Sequence, residues 1–230
     1  MFLSQRATQA EYCDQPDLPL PEVADNYHQL ARFNRALLVA DPFQRLLVRW
    51  LGKPNLGTLS LLDLGAGDGW LGEQIETWAR GRGWDWRVTS LDLSFAALSL
   101  GARRRRVAGS VCALPFRDAS FDVVISSQMA HHLTEEETVL HFREAWRITR
   151  DALFLTDAHR NSGAFCVMWA LLRALQMPPR FRSDGLLSIR RGWRVREWRQ
   201  LALAADIPNP RVWLYYGSRV VLQARKRGPA

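Results

Sequence analysis

The stretch Asp63-Leu64-Gly65-Ala66-Gly67-Asp68-Gly69 decides the fold of this 230-residue chain. It follows the mostly apolar run 59–62, which is typical of a buried β-strand. Glycines at alternate positions permit the backbone angles of a tight strand-to-helix turn and leave room for a ligand beside the backbone. Apolar residues after the turn recur at helical spacing. The stretch therefore predicts a strand, a glycine turn that binds a nucleotide-like ligand, and a helix.

A second acidic residue lies where an adenosine site needs one. Residues 87–93 predict another strand that reaches Asp92 near its end. A carboxylate about 20 residues beyond such a turn accepts hydrogen bonds from the ribose hydroxyls of an adenosine. NAD enzymes share this arrangement, so Asp92 alone does not distinguish the two cofactors. The dinucleotide pattern G-x-G-x-x-G, however, expects a third glycine where this chain has Trp70.

Residues 109–127, GSVCALPFRDASFDVVISS, follow the pattern G-D-A-x-x-L-P-F-x-D-x-S-F-D almost position by position. With the D-x-G-x-G-x-G turn, this segment resembles class I S-adenosylmethionine (SAM) methyltransferases, in the small-molecule branch typified by ubiquinone and menaquinone biosynthesis. The resemblance spans roughly residues 25–226 and implies that SAM is converted to S-adenosylhomocysteine (SAH). It implies a three-layer, Rossmann-like α/β fold, with a mostly parallel seven-stranded sheet, an antiparallel last strand and an N-terminal helical cap.

The resemblance also implies a cofactor site. Asp63 would order the glycine turn and approach the amino end of SAM, Asp92 would bind the ribose, and Leu93 and Val111 would pack around the adenine. Ser110 stands where the family has an acid for the adenine amino group, so this contact would carry no charge. The predicted cofactor-binding residues are Asp63, Gly65, Ala66, Gly67, Asp92, Leu93, Ser110, Val111 and Ser127.

Two histidines follow the fourth predicted strand, residues 121–127. His131 and His132 lie in the loop before a helix that begins with a capping box at residues 134–137. Open α/β folds bind ligands at this carboxyl edge of the sheet. We interpret His131 as the base that takes a proton from an acceptor hydroxyl, with Asp157 of the next strand orienting or charging it. Alternatively, one histidine packs against the helix start, and an already acidic acceptor needs only proximity.

Two further motifs narrow the resemblance. Asp157-Ala158-His159-Arg160 and residues 182–193 resemble a bacterial subgroup with D-x-x-R after strand five and H-D-G-x-x-S-x-R-R-A-[FY] before the last helix. This chain has Ser183 for the histidine and Gly192 for the alanine. The subgroup often accompanies type III polyketide synthases, which implies a small hydrophobic or aromatic acceptor (a phenol, polyketide or quinone) and favours O- over C-methylation. The residues predicted to contact the acceptor are Met129, His132, Arg160 and Arg190, beside the catalytic pair.

Length and composition predict one α/β domain, because 47% of the residues are hydrophobic and can bury a full core. We expect residues 1–23, which are rich in proline and acidic residues, to form an irregular arm. Residues 24–226 would form the methyltransferase domain and 227–230 a tail. Within the domain, residues 24–52 would form a helical cap and 161–192 a lid insertion beside the acceptor pocket.

Composition also disfavours several partners and locations. No apolar run reaches the roughly 18 residues of a membrane span, and the first residues lack a signal-peptide core, so we expect a cytoplasmic protein without stable membrane insertion. Three scattered cysteines predict neither disulfides nor a metal site. The net charge of +8 comes almost wholly from arginine, and we expect the run 103–106 to be a solvated edge. No base-flipping signature is present, so we expect the acceptor to be a small molecule and not nucleic acid. We expect the protein to be a monomer or a homodimer.

Two other function classes stay open from the sequence. A NAD-type dinucleotide oxidoreductase would share the glycine turn and Asp92, but it leaves residues 109–127 unexplained. A catalytically reduced SAM-binding protein would keep the fold, and the uncharged Ser110 agrees with it. Binding measurements with SAM, SAH and NAD separate the first class, and turnover with a broad acceptor panel separates the second.

Overall fold

A seven-stranded sheet forms the centre of the computed structural model, which describes residues 3–15, 17–52, 57–102 and 105–226. The strands are β1 (Thr58–Leu64), β2 (Asp85–Asp92), β3 (Arg106–Ala108), β4 (Phe121–Ser127), β5 (Thr149–Ala158), β6 (Arg211–Tyr215) and β7 (Arg219–Arg225). Their order is β3-β2-β1-β4-β5-β7-β6, with β7 antiparallel to both its neighbours and the other pairs parallel. The predicted fold class is therefore confirmed. The predicted tail 227–230 lies outside the described residues.

Helices cover both faces of the sheet. They are α1 (Leu20–Ala36), α2 (Leu47–Leu51), α3 (Trp70–Arg80), α4 (Phe95–Leu100), α5 (Glu135–Ile148), α6 (Ser162–Ala174), α7 (Pro179–Arg191) and α8 (Val195–Ala204). A π-helical turn, Pro42–Leu46, precedes α2. None of the helices in the described ranges is long and apolar enough to cross a membrane.

The central strands are apolar on both sides because each side carries its own core. Leu62, Val124 and Leu153 pack into one cluster with residues of α5 and α8. Their chain neighbours Leu61 and Val123 pack into the other cluster, with residues of α2 and α3. Side chains alternate between the faces of a strand, so a strand buried on both faces shows a continuous apolar run instead of alternation.

The N-terminal arm is more ordered than expected. A 3₁₀ turn covers Tyr12–Asp14, and α1 begins at Leu20, four residues before the predicted boundary at residue 24. Pro19 caps this helix and Pro21 lies in its first turn, where a missing N–H costs nothing because those donors have no intrahelical partner. The prediction of an irregular arm is therefore wrong for residues 20–23, which are helical.

The structure also describes part of the arginine run 103–106 and the cysteines. Arg105 and Arg106 are exposed, as predicted for a solvated edge, although Arg106 already belongs to β3; Arg103 and Arg104 lie outside the described residues. All three cysteines of the chain carry free thiols. The assignments of residues 24–52 as a cap and 161–192 as a lid stay predictions.

The glycine at position 192, where the resembled subgroup has alanine, has a steric explanation. A Cβ built on Gly192 would lie 2.5 Å from the backbone oxygen of Ala158, at the end of β5. Gly192→Ala is therefore expected to destabilise the protein by about 1–3 kcal/mol, the usual cost of overpacking. Urea unfolding measures it. Gly81→Ala is the control, because its Cβ would meet only ordinary contacts of 3.5 Å or more; equal losses in both variants would contradict the prediction.

Candidate functional site

The glycine turn follows β1 as predicted and is hydrogen-bonded to the backbone of β2. Gly65, Gly67 and Gly69 have φ angles of 69°, 57° and 83°, the left-handed region that favours glycine. The backbone N–H groups of Gly65 and Ala66 donate to the oxygen of Leu91, at 2.9 and 3.0 Å. The turn thus lies at the carboxyl edge of the sheet, where the predicted cofactor would bind.

Asp92 lies beside this turn at the end of β2. Its Oδ2 accepts from the N–H of Gly67 at 2.7 Å, and its Oδ1 accepts from the N–H of Ser94 at 2.8 Å. Next to it, Leu93 and Phe95 are 77% and 74% exposed. A carboxylate at a strand end with two exposed apolar side chains beside it fits an adenosine, whose ribose is polar and whose ring is apolar. Phe95 was not predicted, although its position in the sequence adjoins the predicted set.

Two side chains cover the turn. A Cβ on Gly65 would lie 2.2 Å from Cγ of Met129, and one on Gly67 would lie 2.4 Å from Cε1 of Tyr27. Burial raises the pKa of the Tyr27 phenol, and the charge of Asp92 raises it further. The sequence analysis did not place Tyr27 in the cofactor site. Its contact with the turn is a tertiary feature that helical spacing does not reveal.

The remaining predicted cofactor residues lie near the same edge. Asp63 is buried in β1. The side chain of Val111 packs against the core, and the hydroxyl of Ser110 accepts from the N–H of Cys112 at 3.2 Å. The hydroxyl of Ser127, the last residue of β4, accepts from that of a threonine in β5 at 3.2 Å. Their contacts with SAM stay predictions.

His131 and Asp157 meet as the sequence analysis expected. Nδ1 of His131 lies 2.6 Å from Oδ1 of Asp157, and the backbone N–H of His131 donates to Oδ2 at 2.8 Å. Only 3% of His131 and none of Asp157 is exposed. Burial by itself lowers the pKa of His131, but the carboxylates of Asp157 and Glu11 outweigh it and hold that pKa above its usual value. Burial likewise raises the pKa of Asp157, and His131 outweighs it and lowers that pKa.

These shifts predict how stability depends on pH. A histidine whose pKa is raised in the folded state contributes its full stabilisation of the fold below its unfolded-state pKa, about 6.5. That contribution is lost as the pH rises through the folded-state pKa. An aspartate whose pKa is lowered in the folded state contributes its full stabilisation of the fold above its unfolded-state pKa, about 3.9. That contribution is lost as the pH falls through the folded-state pKa. The stability lost in His131→Gln should therefore be largest near pH 5–6 and smaller at pH 9. Urea unfolding at both values tests it; an equal loss would contradict the ionic pairing.

The N-terminal arm covers the two histidines, which the sequence did not indicate. Oε1 of Glu11 lies 3.5 Å from Nε2 of His131, and Oδ1 of Asp14 lies 2.7 Å from Nδ1 of His132. A guanidinium nitrogen of Arg191 in α7 lies 2.8 Å from Oδ2 of Asp14. The sequence shows the acidic residues of the arm and the arginine pair of the 182–193 motif. Nothing in their spacing indicates that they contact one another.

Two of the predicted acceptor residues also hold this arm. The buried guanidinium of Arg160 donates to the backbone oxygen of Leu3 at 3.1 Å and to Glu197 in α8 at 2.6 Å. The backbone oxygen of Arg190 accepts from the N–H of Ala7 at 3.0 Å. In the structure, Arg160 and Arg190 thus anchor the arm. Their contact with an acceptor stays a prediction.

The cluster contains groups that could bind a cation. Ligand atoms of Glu11, His131 and His132 lie within 4.8 Å of one another, although the sequence predicted no metal. A guanidinium nitrogen of Arg191 lies 4.0 Å from Oε1 of Glu11 and also pairs with Asp14. One guanidinium is thus shared between two carboxylates of the arm.

Comparison with known protein families gives one match within the chain. Residues 62–153 match the family model of a methyltransferase domain. No curated protein matches the sequence.

Solved structures share the fold at low sequence identity. An Aquifex aeolicus SAM-dependent methyltransferase is 13% identical with a TM-score of 0.59, and the match covers 91% of this chain and 99% of that one. Magnesium protoporphyrin IX methyltransferase from Synechocystis PCC 6803, solved with SAH bound, is 15% identical with a TM-score of 0.55, covering 93% and 90%. A candidate O-methyltransferase from Nostoc punctiforme is 17% identical with a TM-score of 0.56; the match covers 85% of this chain but only 60% of that one.

The domain match covers 92 of the 230 residues and indicates a methyltransferase domain there. The solved structures show the shared fold.

Proposed function

We propose that this protein transfers a methyl group from SAM to the hydroxyl oxygen of a small hydrophobic or aromatic molecule, and not to nucleic acid. One observation carries the proposal. The side chain of Met129 lies against Gly65, and the loop that bears Met129 continues directly into His131. The predicted cofactor turn and the buried His131–Asp157 pair are therefore neighbours at one edge of the sheet.

The proposed chemistry is an in-line displacement at the sulfonium methyl group, in which alignment of donor and acceptor supplies much of the rate. The glycine turn and Asp92 would hold the cofactor. His131 would take the proton of the acceptor hydroxyl, and Asp157, which already accepts from the imidazole, would keep the ring oriented and stabilise its charged form.

The surroundings of Asp157 support an apolar acceptor. β5 continues from Asp157 into Ala158, which packs with Ala164 and Ile189 in a small apolar cluster. Phe165 and Met168 of α6 are only partly buried against it. Concave sites for small molecules are lined mostly by such side chains with a few polar groups.

The two alternatives predict different measurements. A dinucleotide oxidoreductase would bind NAD in calorimetry, whereas we expect binding of SAM and SAH alone. Trp70, which opens α3 and packs against the core, occupies the third glycine position of the dinucleotide pattern. A catalytically reduced protein would bind SAM without turnover across a panel of phenols, pyrones and quinols. Methylation of any member of this panel would exclude that alternative.

Asp92→Ala is expected to weaken SAM binding by about 1.5–3 kcal/mol, because hydrogen bonds to a charged group would be lost. The structure adds a second cause, since the same carboxylate holds the N–H of Gly67 in the turn. Titration calorimetry measures the change. Asp85→Ala is a matched control, because Asp85 is an exposed residue at the opposite end of β2. Parental affinity in Asp92→Ala would remove Asp92 from the cofactor site.

A further inference from the structure

We propose that Glu11, His131 and His132 form a binding site for Zn²⁺, and that the bound ion withdraws Nε2 of His131 from proton transfer. The zinc site follows from the arrangement of the side chains. The second part rests on the proposed function, in which that nitrogen takes the proton of the acceptor. Zinc would then inhibit methyl transfer through a carboxylate of the N-terminal arm.

The three residues offer ligand atoms at the separations that zinc needs. These atoms lie within 4.8 Å of one another. Nε2 of His131 lies 3.5 Å from Oε1 of Glu11, which exceeds the usual N–H···O hydrogen bond of about 2.7–3.2 Å. Zn–N and Zn–O bonds of about 2.0–2.2 Å at tetrahedral angles place neighbouring ligand atoms about 3.3–3.6 Å apart. The observed separation therefore fits a shared metal ion better than a shared proton.

Two of the ligands have outer partners that orient them. Nδ1 of His131 lies 2.6 Å from Oδ1 of Asp157, so only Nε2 of this imidazole is left for a metal. The hydroxyl of Ser188 lies 2.9 Å from Oε1 of Glu11, within hydrogen-bond reach. Metal-binding histidines almost always donate their other ring N–H to an oxygen, and metal-binding carboxylates are hydrogen-bonded in turn. The site thus has the support that zinc sites have in proteins.

The third ligand connects the site to solvent. Glu11 and His131 are buried, whereas the side chain of His132 is 27% exposed. Oδ1 of Asp14, on the arm, lies 2.7 Å from Nδ1 of this imidazole. An ion can therefore enter from the side of His132. Two imidazoles and one carboxylate suit zinc better than magnesium or calcium, which prefer oxygen ligands alone.

Carboxylates outnumber guanidinium groups around the site. The acidic side chains there are Glu11, Asp14, Asp157 and Asp184. Arg191 lies 2.8 Å from Asp14 and 4.0 Å from Oε1 of Glu11, and Arg6 donates to the backbone oxygen of His131 at 2.6 Å. Histidines that bind a metal are neutral. These four acidic and two basic side chains, all within the described residues, then leave two negative charges, which one divalent cation neutralises.

Zinc and the acceptor compete for one lone pair. A neutral imidazole that donates Nδ1–H to Asp157 has its only free lone pair on Nε2. If zinc holds that lone pair, the acceptor hydroxyl keeps its proton and remains a poor nucleophile. Removal of zinc returns Nε2 to the role of base.

Zinc binding is measured on the full chain without turnover, by competition with a chromophoric chelator. We expect the parent to bind one Zn²⁺ at this site. Glu11→Gln keeps the volume and removes the charge, so it should weaken zinc binding about tenfold or more. His132→Gln should weaken it as much; because this side chain is partly exposed, the variant serves if Glu11→Gln fails to fold.

Glu22→Gln is the matched control. Its carboxylate accepts from the hydroxyl of Tyr12 in the arm, and it does not belong to the group of ligand atoms. This variant should bind zinc like the parent. Parental zinc affinity in both Glu11→Gln and His132→Gln, or no zinc binding by the parent, would overturn the site.

Turnover tests the inhibition. With an acceptor found in the panel, Zn²⁺ is expected to lower the parent rate about tenfold or more, and a chelator to restore it. Glu11→Gln should need about tenfold more Zn²⁺ for the same loss. Zinc that binds the parent without lowering the rate, or that raises it, would overturn the inhibition.

The zinc site and the proposed function fail separately. Absence of methylation across the panel, with zinc binding intact, would overturn methyl transfer and the inhibition with it, and would leave the zinc site in place. Methylation by a parent that binds no zinc would overturn this inference alone.

Discussion

Gly67→Val is expected to abolish SAM binding. The residue has a φ of 57°, which a β-branched side chain adopts only with strain. A Cβ at this position would also lie 2.4 Å from the ring of Tyr27, so the new side chain would push either α1 or the turn away. Displacement of the turn would break the hydrogen bond from the N–H of Gly67 to Asp92, which lies 2.7 Å away. The variant would lose both the shape and the polar contacts of the site.

The thermal shift that SAH produces in the parent measures this loss. Gly83→Val is the matched control, because Gly83 has a φ of 73° but no atom within 4 Å of its Cβ position. It should melt at a lower temperature than the parent and still be stabilised by SAH. A preserved SAH shift in Gly67→Val would show that the glycine turn is not the cofactor loop.

His131→Ala is expected to lower kcat about 10²–10⁴-fold, the usual contribution of a general base, with little change in SAM affinity. The structure indicates that the variant can fold, because Asp157 would keep two backbone donors. These are the N–H groups of His131 and Ala158, at 2.8 and 2.6 Å. The assay requires an acceptor found in the panel and a range of pH. For an acceptor that is already ionised, the effect should shrink towards that of positioning alone.

His159→Gln provides the comparison for His131→Ala. His159 directly follows β5, the strand of Asp157, and its ring nitrogen lies 2.8 Å from the amide of Asn161, so it belongs to another network. We expect near-parental turnover from it. A near-parental rate for His131→Ala at every pH would remove the histidine from catalysis and leave proximity as the mechanism.

Local pattern was enough to predict most of the fold. The bounds of β4, Phe121–Ser127, agree with the prediction to the residue, and the capping box predicted at Thr134 is present with both of its hydrogen bonds. Strand–turn–helix segments and caps depend on residues a few positions apart, which the sequence displays directly. The pairing of His131 with Asp157 was also predictable, because β4 and β5 are parallel neighbours and bring their carboxyl ends together.

The sequence by itself thus determined the α/β sheet, the glycine turn with Asp92, and the meeting of His131 with Asp157 at one edge. Only the tertiary structure decided what covers that edge. Glu11 and Arg191 are 180 residues apart in the chain and Tyr27 is 40 residues from Gly67, so no periodicity relates them. Their contacts arise because the arm and α1 fold back over the sheet edge and bury charges that must then find partners. Burial and charge compensation are properties of the whole fold, and no local stretch of sequence contains them.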